Sequence, residues 1–433
     1  MQQRTRLNRR DMEINGITPG NQLNFGARIM QQCGNIDCRR ASAQDRVVPL
    51  GHVPGTVTGI GTLYSYNHFD SMAALEQAVA RAQPDLVIPC DDRAVAQLHA
   101  LHGSRSEHRA LIQQSLGAPE YYNTLRSRVG CADRAREPGV PVAPTRAIAS
   151  EADIGEWFAA NPGRVALKVD SSSGGLGVQI VDDPQECIVA WRQMSKVPPA
   201  GQALKRWLVD RDPLAFWAPL RKGRPSASLQ KFIPGRAANA MVACWQGNVL
   251  GTVTVEVLCS QGATGASTIV RVMSHPEIEQ VAATLVRGLH LSGFCGFDFM
   301  LHESSGAAWL IEVNPRCTQL GHLVLGDRGD LAGALCAHLG MPPSGRTQKP
   351  LQSDQIAFFP QALAWNPDSP LLDSSDHDVP WTEPRLVREL SRESWPERRW
   401  LARAYHRLKP RRAGTARRIQ QTAIDLQLSE VLR

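Results

Sequence analysis

The residues best suited to chemistry lie close together near the middle of the second half of the chain: Asp298, Glu312, Asn314 and Arg316. Two apolar runs, residues 296–301 and 307–313, flank Ser304, Ser305 and Gly306. That composition suits a three-residue hairpin loop with Gly at the left-handed position. Pairing the runs across the loop sets Asp298 opposite Glu312. Side chains alternate along a strand, so Asn314 shares the face of Glu312, and Arg316 joins it if the strand continues past Pro315. Two facing carboxylates repel and are costly to bury. A hard divalent cation held by oxygen atoms resolves that conflict. Magnesium suits it best, because it takes a few carboxylates and leaves places for phosphate oxygens. The competing reading sends one acid to solvent and pairs the other with Arg316.

A second set of residues lies upstream. Residues 164–169 predict a buried strand that contains one lysine, Lys168. It runs into Asp170-Ser-Ser-Ser-Gly-Gly-Leu-Gly177, and residues 178–181 predict the return strand. A P-loop or dinucleotide fingerprint needs a helix after its glycines, and here a strand follows. Glycines in a hairpin loop let backbone N–H groups close over a phosphate, and Ser172 and Ser173 add hydroxyl donors. Lys168 supplies a point charge at the base of the loop. Leu229-Gln-Lys-Phe-Ile-Pro-Gly235 predicts a third element, an apolar strand that breaks at Pro-Gly. Such a hinge presents backbone groups and one amide side chain to a purine edge. The chain resumes as strands over 240–245 and 249–257 with a turn at Gly247-Asn248. A helix over 285–291 then leads into the carboxylate hairpin.

The order of these elements resembles the ATP-grasp superfamily: a lysine in a strand, a Ser/Gly hairpin loop, an apolar hinge ending in Pro-Gly, then G-F-D-F and I-E-V-N-P-R. The resemblance covers residues 80–340. It implies an α/β and α+β fold in which two lobes enclose ATP, preceded by a small open α/β domain. The implied division is 1–120 for that first domain, 121–342 for the ATP-grasp domain and 343–433 for a C-terminal extension, basic from 384 and partly helical. By the resemblance, Lys168 contacts ATP phosphates, and Ser172, Ser173, Gly174, Gly175 and Gly177 form the loop that covers them. Gln230 stands where the hinge usually has Glu, and Lys231 and Ile233 meet adenine through backbone groups. Asp298, Glu312 and Asn314 match the magnesium ligands, for which manganese is an alternative, and Arg316 matches the arginine that meets the transferred phosphate or the acyl phosphate. Many members carry a further lysine before the Pro-turn, where this chain offers Arg126 and Arg128. The implied activity is ADP-forming ligation of a small-molecule carboxylate to an amine or another nucleophile, with ATP and Mg2+ as cofactors. Two other readings stand beside it: an ATP-binding regulatory protein without ligase activity, and a nucleic-acid-binding protein acting through the basic tail.

The rest of the chain frames that site. At 433 residues the chain exceeds a single core, and two or three domains are expected. Residues 73–82 predict a helix, and residues 85–90 an apolar strand of parallel-sheet type. Asp91 and Asp92 end that strand, and a helix over 94–101 follows. A carboxylate there either meets a ligand or caps the helix, and capping is preferred. Helices are also expected over 24–32 and 152–160, and a short strand over 46–49. Arg271, Cys317 and His322 flank the motif strands as candidate pocket walls. Residues 384–433 hold thirteen Lys or Arg against five Asp or Glu, a balance of +8 in a chain of net +7, so the rest is near neutral. A helix over 393–408 carries Trp400 and Tyr405 among arginines, a pattern that docks on the body or meets an acidic surface or partner. The N-terminus lacks the apolar core of a secretory signal, and ten scattered cysteines form no C-x-x-C pair, which points to reduced thiols and a cytoplasmic location.

Overall fold

The structure, a computed structural model, describes residues 75–76, 79–80, 84–90, 92–169, 177–195, 226–325, 329–340, 351, 353–381, 387 and 390. The expected helices over 24–32 and 393–408, the strand over 46–49 and the loop residues 170–176 lie outside the described residues. Contacts divide the chain into two units. One holds residues 86–197 and 222–343, and the other holds 1–85, 198–221 and 344–433.

The first of these begins with α1 (Asp92–Ser104), α2 (Arg109–Leu116), α3 (Tyr122–Leu125) and α4 (Arg128–Arg136). Residues 86–90 precede α1 without forming a strand, contrary to expectation. Pro89 has no N–H to donate. Instead, the Val87 N–H reaches Ser115 Oγ, and the Pro89 carbonyl accepts from the Cys317 amide.

Two antiparallel sheets follow. β1 (Thr145–Ile148), β2 (Val165–Val169), β3 (Val178–Val181) and β4 (Ala227–Lys231) lie in the order β1-β4-β2-β3. α5 (Glu151–Ala160) and α6 (Pro184–Met194) close one face of this sheet. α5 opens with a reciprocal cap, in which Ser150 and Asp153 each bond the other's backbone N–H. Its Ile154, Trp157 and Phe158 pack on Val165, Leu167, Val169, Ala227 and Leu229. Alternation therefore turns Lys168, Ser228 and Gln230 to the other face.

The second sheet contains β5 (Gly235–Trp245), β6 (Asn248–Ser260), β7 (Ser267–Met273), β8 (Gly293–His302) and β9 (Ala308–Asn314), in the order β7-β6-β5-β8-β9. The sequence reading lacked β7 and began β5 five residues late. The β5–β6 turn centres on Gln246-Gly247, both with positive φ, one residue before the expected Gly247-Asn248. Between β7 and β8 runs α7 (Pro276–Gly288), which starts nine residues before the expected helix. Pro at its first position and two acids in its first turn suit that start. Its Ile278, Val281, Ala282, Leu285 and Val286 meet Ala238, Ala240, Val242, Phe297 and Phe299. The opposite face of β5, β8 and β9 carries Asn239, Asp298, Glu312 and Asn314. Gly235 is required at the hinge, because a Cβ there would lie 1.9 Å from the Leu301 carbonyl oxygen. α8 (Leu331–His338) ends this unit's described elements.

In the other unit, Leu75, Glu76, Val79 and Ala80 are helical, as expected. β10 (Gln355–Ala357) and β11 (Asp376–His377) pair in parallel, with α9 (Gln361–Trp365) between them in sequence. No helix among the described residues is long and apolar enough to cross a membrane.

Candidate functional site

The β8–β9 hairpin closes on a longer loop than the expected three residues, since the His302 N–H donates to the Ala307 carbonyl at 3.0 Å and Leu301 faces Ala308, but Gly306 takes the expected left-handed position. Gly306 adopts φ 69°, and its N–H donates to the His302 carbonyl at 2.8 Å. Asp298 faces Glu312 across the pair, and Gly296 faces Asn314. The next pair is Phe299 with Leu310, so Ile311 is an extra residue, a β-bulge immediately before Glu312.

Each carboxylate has its own partners. Asp298 Oδ2 accepts from Asn314 Nδ2 at 3.0 Å, and Oδ1 accepts from Asn239 Nδ2 on β5. Glu312 Oε1 accepts from Arg128 Nε at 3.0 Å. Arg128 also donates from Nη1 to the Val169 carbonyl at 3.4 Å, at the end of β2. Of the two arginines open at this position, Arg128 is the one brought to the carboxylates. Arg316 donates from Nε to Asp92 Oδ1 at 2.6 Å and from Nη2 to Asn314 Oδ1 at 3.3 Å. The simple pairing of one acid with Arg316 is thus replaced by a wider network. Asp92 spends its carboxylate on Arg316, a role that neither sequence reading of that residue contained.

Burial raises the Asp298 carboxyl, the facing Glu312 adds to it, and the result is about 6 despite the two amide hydrogen bonds. Burial acts to raise Glu312 as well, but Lys168, Arg128 and Arg316 outweigh it and hold Glu312 below its ordinary value. Lys168 is 5% exposed. Burial lowers its ammonium pKa more than Glu312 and Asp298 restore it. The pair therefore splits, with the proton favoured on Asp298 and the negative charge on Glu312.

The Gly177 carbonyl accepts from the Val169 N–H at 2.8 Å and closes the base of the loop, while Ser172, Ser173, Gly174 and Gly175 lie outside the described residues. Gln230 is buried and donates from Nε2 to Thr145 Oγ1 and to the Ile311 carbonyl, both at 3.0 Å. Lys231 ends β4, and Ile233 is buried in the hinge, where the Pro234 carbonyl accepts from the Glu303 N–H at 3.1 Å. Arg271 meets Glu256 at 3.6 Å, and the register puts both on the Ala238 side of the sheet, away from Asp298. Cys317 is buried and donates its thiol to the Thr318 carbonyl, and His322 is buried too. A separate open groove of about 780 Å3, lined in part by Gln113, Glu120, Trp245 and His290, contains none of the predicted residues.

Sequence reasoning missed Asn239, Ser228 and the partners of Arg128 and Arg316. Asn239 left a trace, as the one amide between alanines in an apolar strand. Ser228 sits opposite Lys168 in the β2–β4 pair. Its Oγ is buried and has no hydrogen-bond partner among the described residues. A buried hydroxyl in want of a partner beside a buried ammonium, together with two opposed carboxylates, fits a polar, anionic ligand carrying a divalent cation.

A family model described as ATP-grasp domain matches residues 220–319. This stretch is similar to an ATP-grasp domain. It spans β4 to β9 and contains Gln230, Asp298, Glu312, Asn314 and Arg316, while Lys168 and Arg128 lie before it. No curated protein matches the chain. Among solved structures, the chain is similar to a biotin carboxylase from Campylobacter jejuni in complex with β,γ-ATP, at 16% identity and TM-score 0.46, over 65% of this chain and 60% of that one. It therefore spans less than two thirds of that protein's length. It is also similar to the biotin carboxylase domain of the 2-oxoglutarate carboxylase of Hydrogenobacter thermophilus, at 14% identity and TM-score 0.49, over 74% and 70% of the two chains. A third is the N5-carboxyaminoimidazole ribonucleotide synthetase of Thermus thermophilus, at 17% identity and TM-score 0.48, over 72% and 77%.

The raised carboxyl of Asp298 sets a pH dependence for this site. A cation held by Asp298 would displace the proton that this carboxyl binds below about pH 6. Magnesium affinity is expected to be flat near neutral pH and to fall about tenfold per unit below that value. Calorimetry in two buffers checks this, with about one proton released per metal in the acid range and almost none at neutral pH. Affinity that stays constant through the acid range would contradict a proton held at the metal site.

Proposed function

We propose that the protein is an ATP-dependent ligase that activates a small-molecule carboxylate as an acyl phosphate, with ATP converted to ADP, and joins it to an amine or another nucleophile. The observation that carries this reading is the opposed pair Asp298 and Glu312 in a stretch similar to an ATP-grasp domain, with Arg128 bonded to one carboxylate and Lys168 buried beside it. Asp298, Glu312 and Asn314 would hold Mg2+, which supplies charge neutralisation to the terminal phosphates when bound. Lys168, Arg128 and the loop through Gly177 would hold the phosphates, with Lys231 and Ile233 at the base. Arg316, oriented by Asp92 and Asn314, would meet the substrate carboxylate as it takes on the phosphoryl group. Positioning and electrostatic stabilisation do nearly all the work in such a transfer. Eight described cysteines are free, which suits the cytoplasmic location proposed for this enzyme.

The products test the reaction class. With the right carboxylate, ATP is expected to give ADP and phosphate, and carboxylate labelled with 18O is expected to pass label into the phosphate. Hydroxylamine is expected to trap the acyl phosphate as a hydroxamate. AMP as product, or label in AMP, would rule out this chemistry. ATP binding with no ADP released under any carboxylate in a broad panel would favour a regulatory protein instead.

A further inference from the structure

Gln230 stands where the resemblance to ATP-grasp proteins leads one to expect Glu, and the structure gives a physical reason for the amide. An amide nitrogen has two hydrogens to donate, whereas an ionised carboxylate has none. Gln230 gives one hydrogen to Thr145 Oγ1 and the other to the Ile311 carbonyl oxygen, each at 3.0 Å. The Thr145 hydroxyl is already committed as donor to the Ala143 carbonyl at 2.8 Å. A glutamate would set its oxygens against two groups acting as acceptors, in a position only 3% exposed.

Ile311 is the bulged residue of β9, and a bulge re-aims the side chain beside it. The residue before it, Leu310, is held on both sides of its peptide. Its N–H donates to the Pro141 carbonyl at 2.8 Å, and its carbonyl accepts from the Ala143 N–H at 3.1 Å. The segment that leads into β1, together with Gln230 on β4, thus grips the two residues that immediately precede Glu312. We propose that Gln230 is a positioning residue that locks the Ile311 bulge, so that Glu312 faces Asp298 and the hinge strand is coupled to the divalent-cation site. This inference rests on the functional reading above and adds a role that acts through Glu312 instead of through the purine.

The test compares ATP affinity with magnesium and with chelator present, for the wild type, Gln230→Glu and Gln230→Met, alongside the thermal midpoint. Both variants are expected to lose at least about tenfold of the magnesium-dependent gain in ATP affinity, the size usual for losing a group that orients a metal ligand. Metal-free ATP affinity is expected to change by less than about threefold, and Gln230→Glu is expected to be the worse of the two. Thr145→Val keeps the bond to Ile311 and is expected to lose only a minor part of the gain; it serves as the folded comparison should either Gln230 variant fail to fold, and a full loss there overturns the proposal. A parallel loss with and without magnesium would make Gln230 a base or ribose contact and overturn it as well. Variants that keep the magnesium response of a responsive wild type overturn this proposal alone. A wild type whose ATP affinity ignores magnesium overturns the ligase reading and this inference together.

Discussion

Replacing Glu312 with Gln is expected to remove ADP formation almost entirely, by about 10²–10³-fold or more, while the protein stays folded. Gln keeps the shape of the side chain and can still accept the Arg128 Nε–H bond now made at 3.0 Å. What disappears is one negative charge. Lys168 and Arg128 then face no anion at that position, and a cation loses half of its carboxylate pair. Part of that loss is offset at Asp298, where the facing Glu312 adds to the burial that raises the carboxyl to about 6. Without it, Asp298 returns towards the ordinary carboxyl range and its ionisation costs less. ADP release under saturating magnesium, with the thermal midpoint measured alongside, checks both halves. Turnover at the wild-type rate would show that the metal assignment is wrong.

Lys168→Met is expected to reduce turnover by a similar factor, about 10²–10³-fold, and to leave stability equal or higher. The lysine is 5% exposed in a strand whose five residues are all buried. Methionine fills the same volume without a charge to desolvate, and Arg128 remains to satisfy Glu312. The pH dependence carries the sign. Burial depresses the Lys168 pKa below 10.5, so the unfolded chain binds this proton more tightly than the folded one. Wild-type stability therefore rises with pH across the window between the depressed value and 10.5, and the contribution is lost as pH falls through the folded-state value. Lys168→Met should lack that rise. Urea titrations at neutral and alkaline pH separate the two curves. A variant that is strongly destabilised at neutral pH and regains stability in alkali would contradict a buried lysine kept for its charge.

The sequence by itself determined the chemistry that is local along the chain. Period-two alternation and a short loop with Gly306 bring Asp298 and Glu312 close together, but the register next to the loop sets Leu301 opposite Ala308 and would by itself pair Asp298 with Ile311, so the facing pair is completed by the extra residue at Ile311. The same alternation put Lys168 on the polar face of its strand, with the strand's other face apolar. Tertiary structure alone decided which groups surround those residues. Arg128 reaches Glu312 across 184 positions, Arg316 reaches Asp92 across 224, and Gln230 reaches Ile311 across 81. None of these separations is set by a helical or strand period. Each depends on how two sheets and the segment before β1 pack, which is governed by burial on the faces opposite the site. The bulge at Ile311 belongs to the same class: nothing in Leu-Ile-Glu marks an extra residue, and it is braced from outside the hairpin, by Gln230 donating to the Ile311 carbonyl and by the two bonds that tie Leu310 to Pro141 and Ala143. Even the strand expected over 85–90 was settled this way, since apolar composition supplies burial but a strand also needs a neighbouring edge to bond, and the described residues there bond to a serine hydroxyl and a single amide instead.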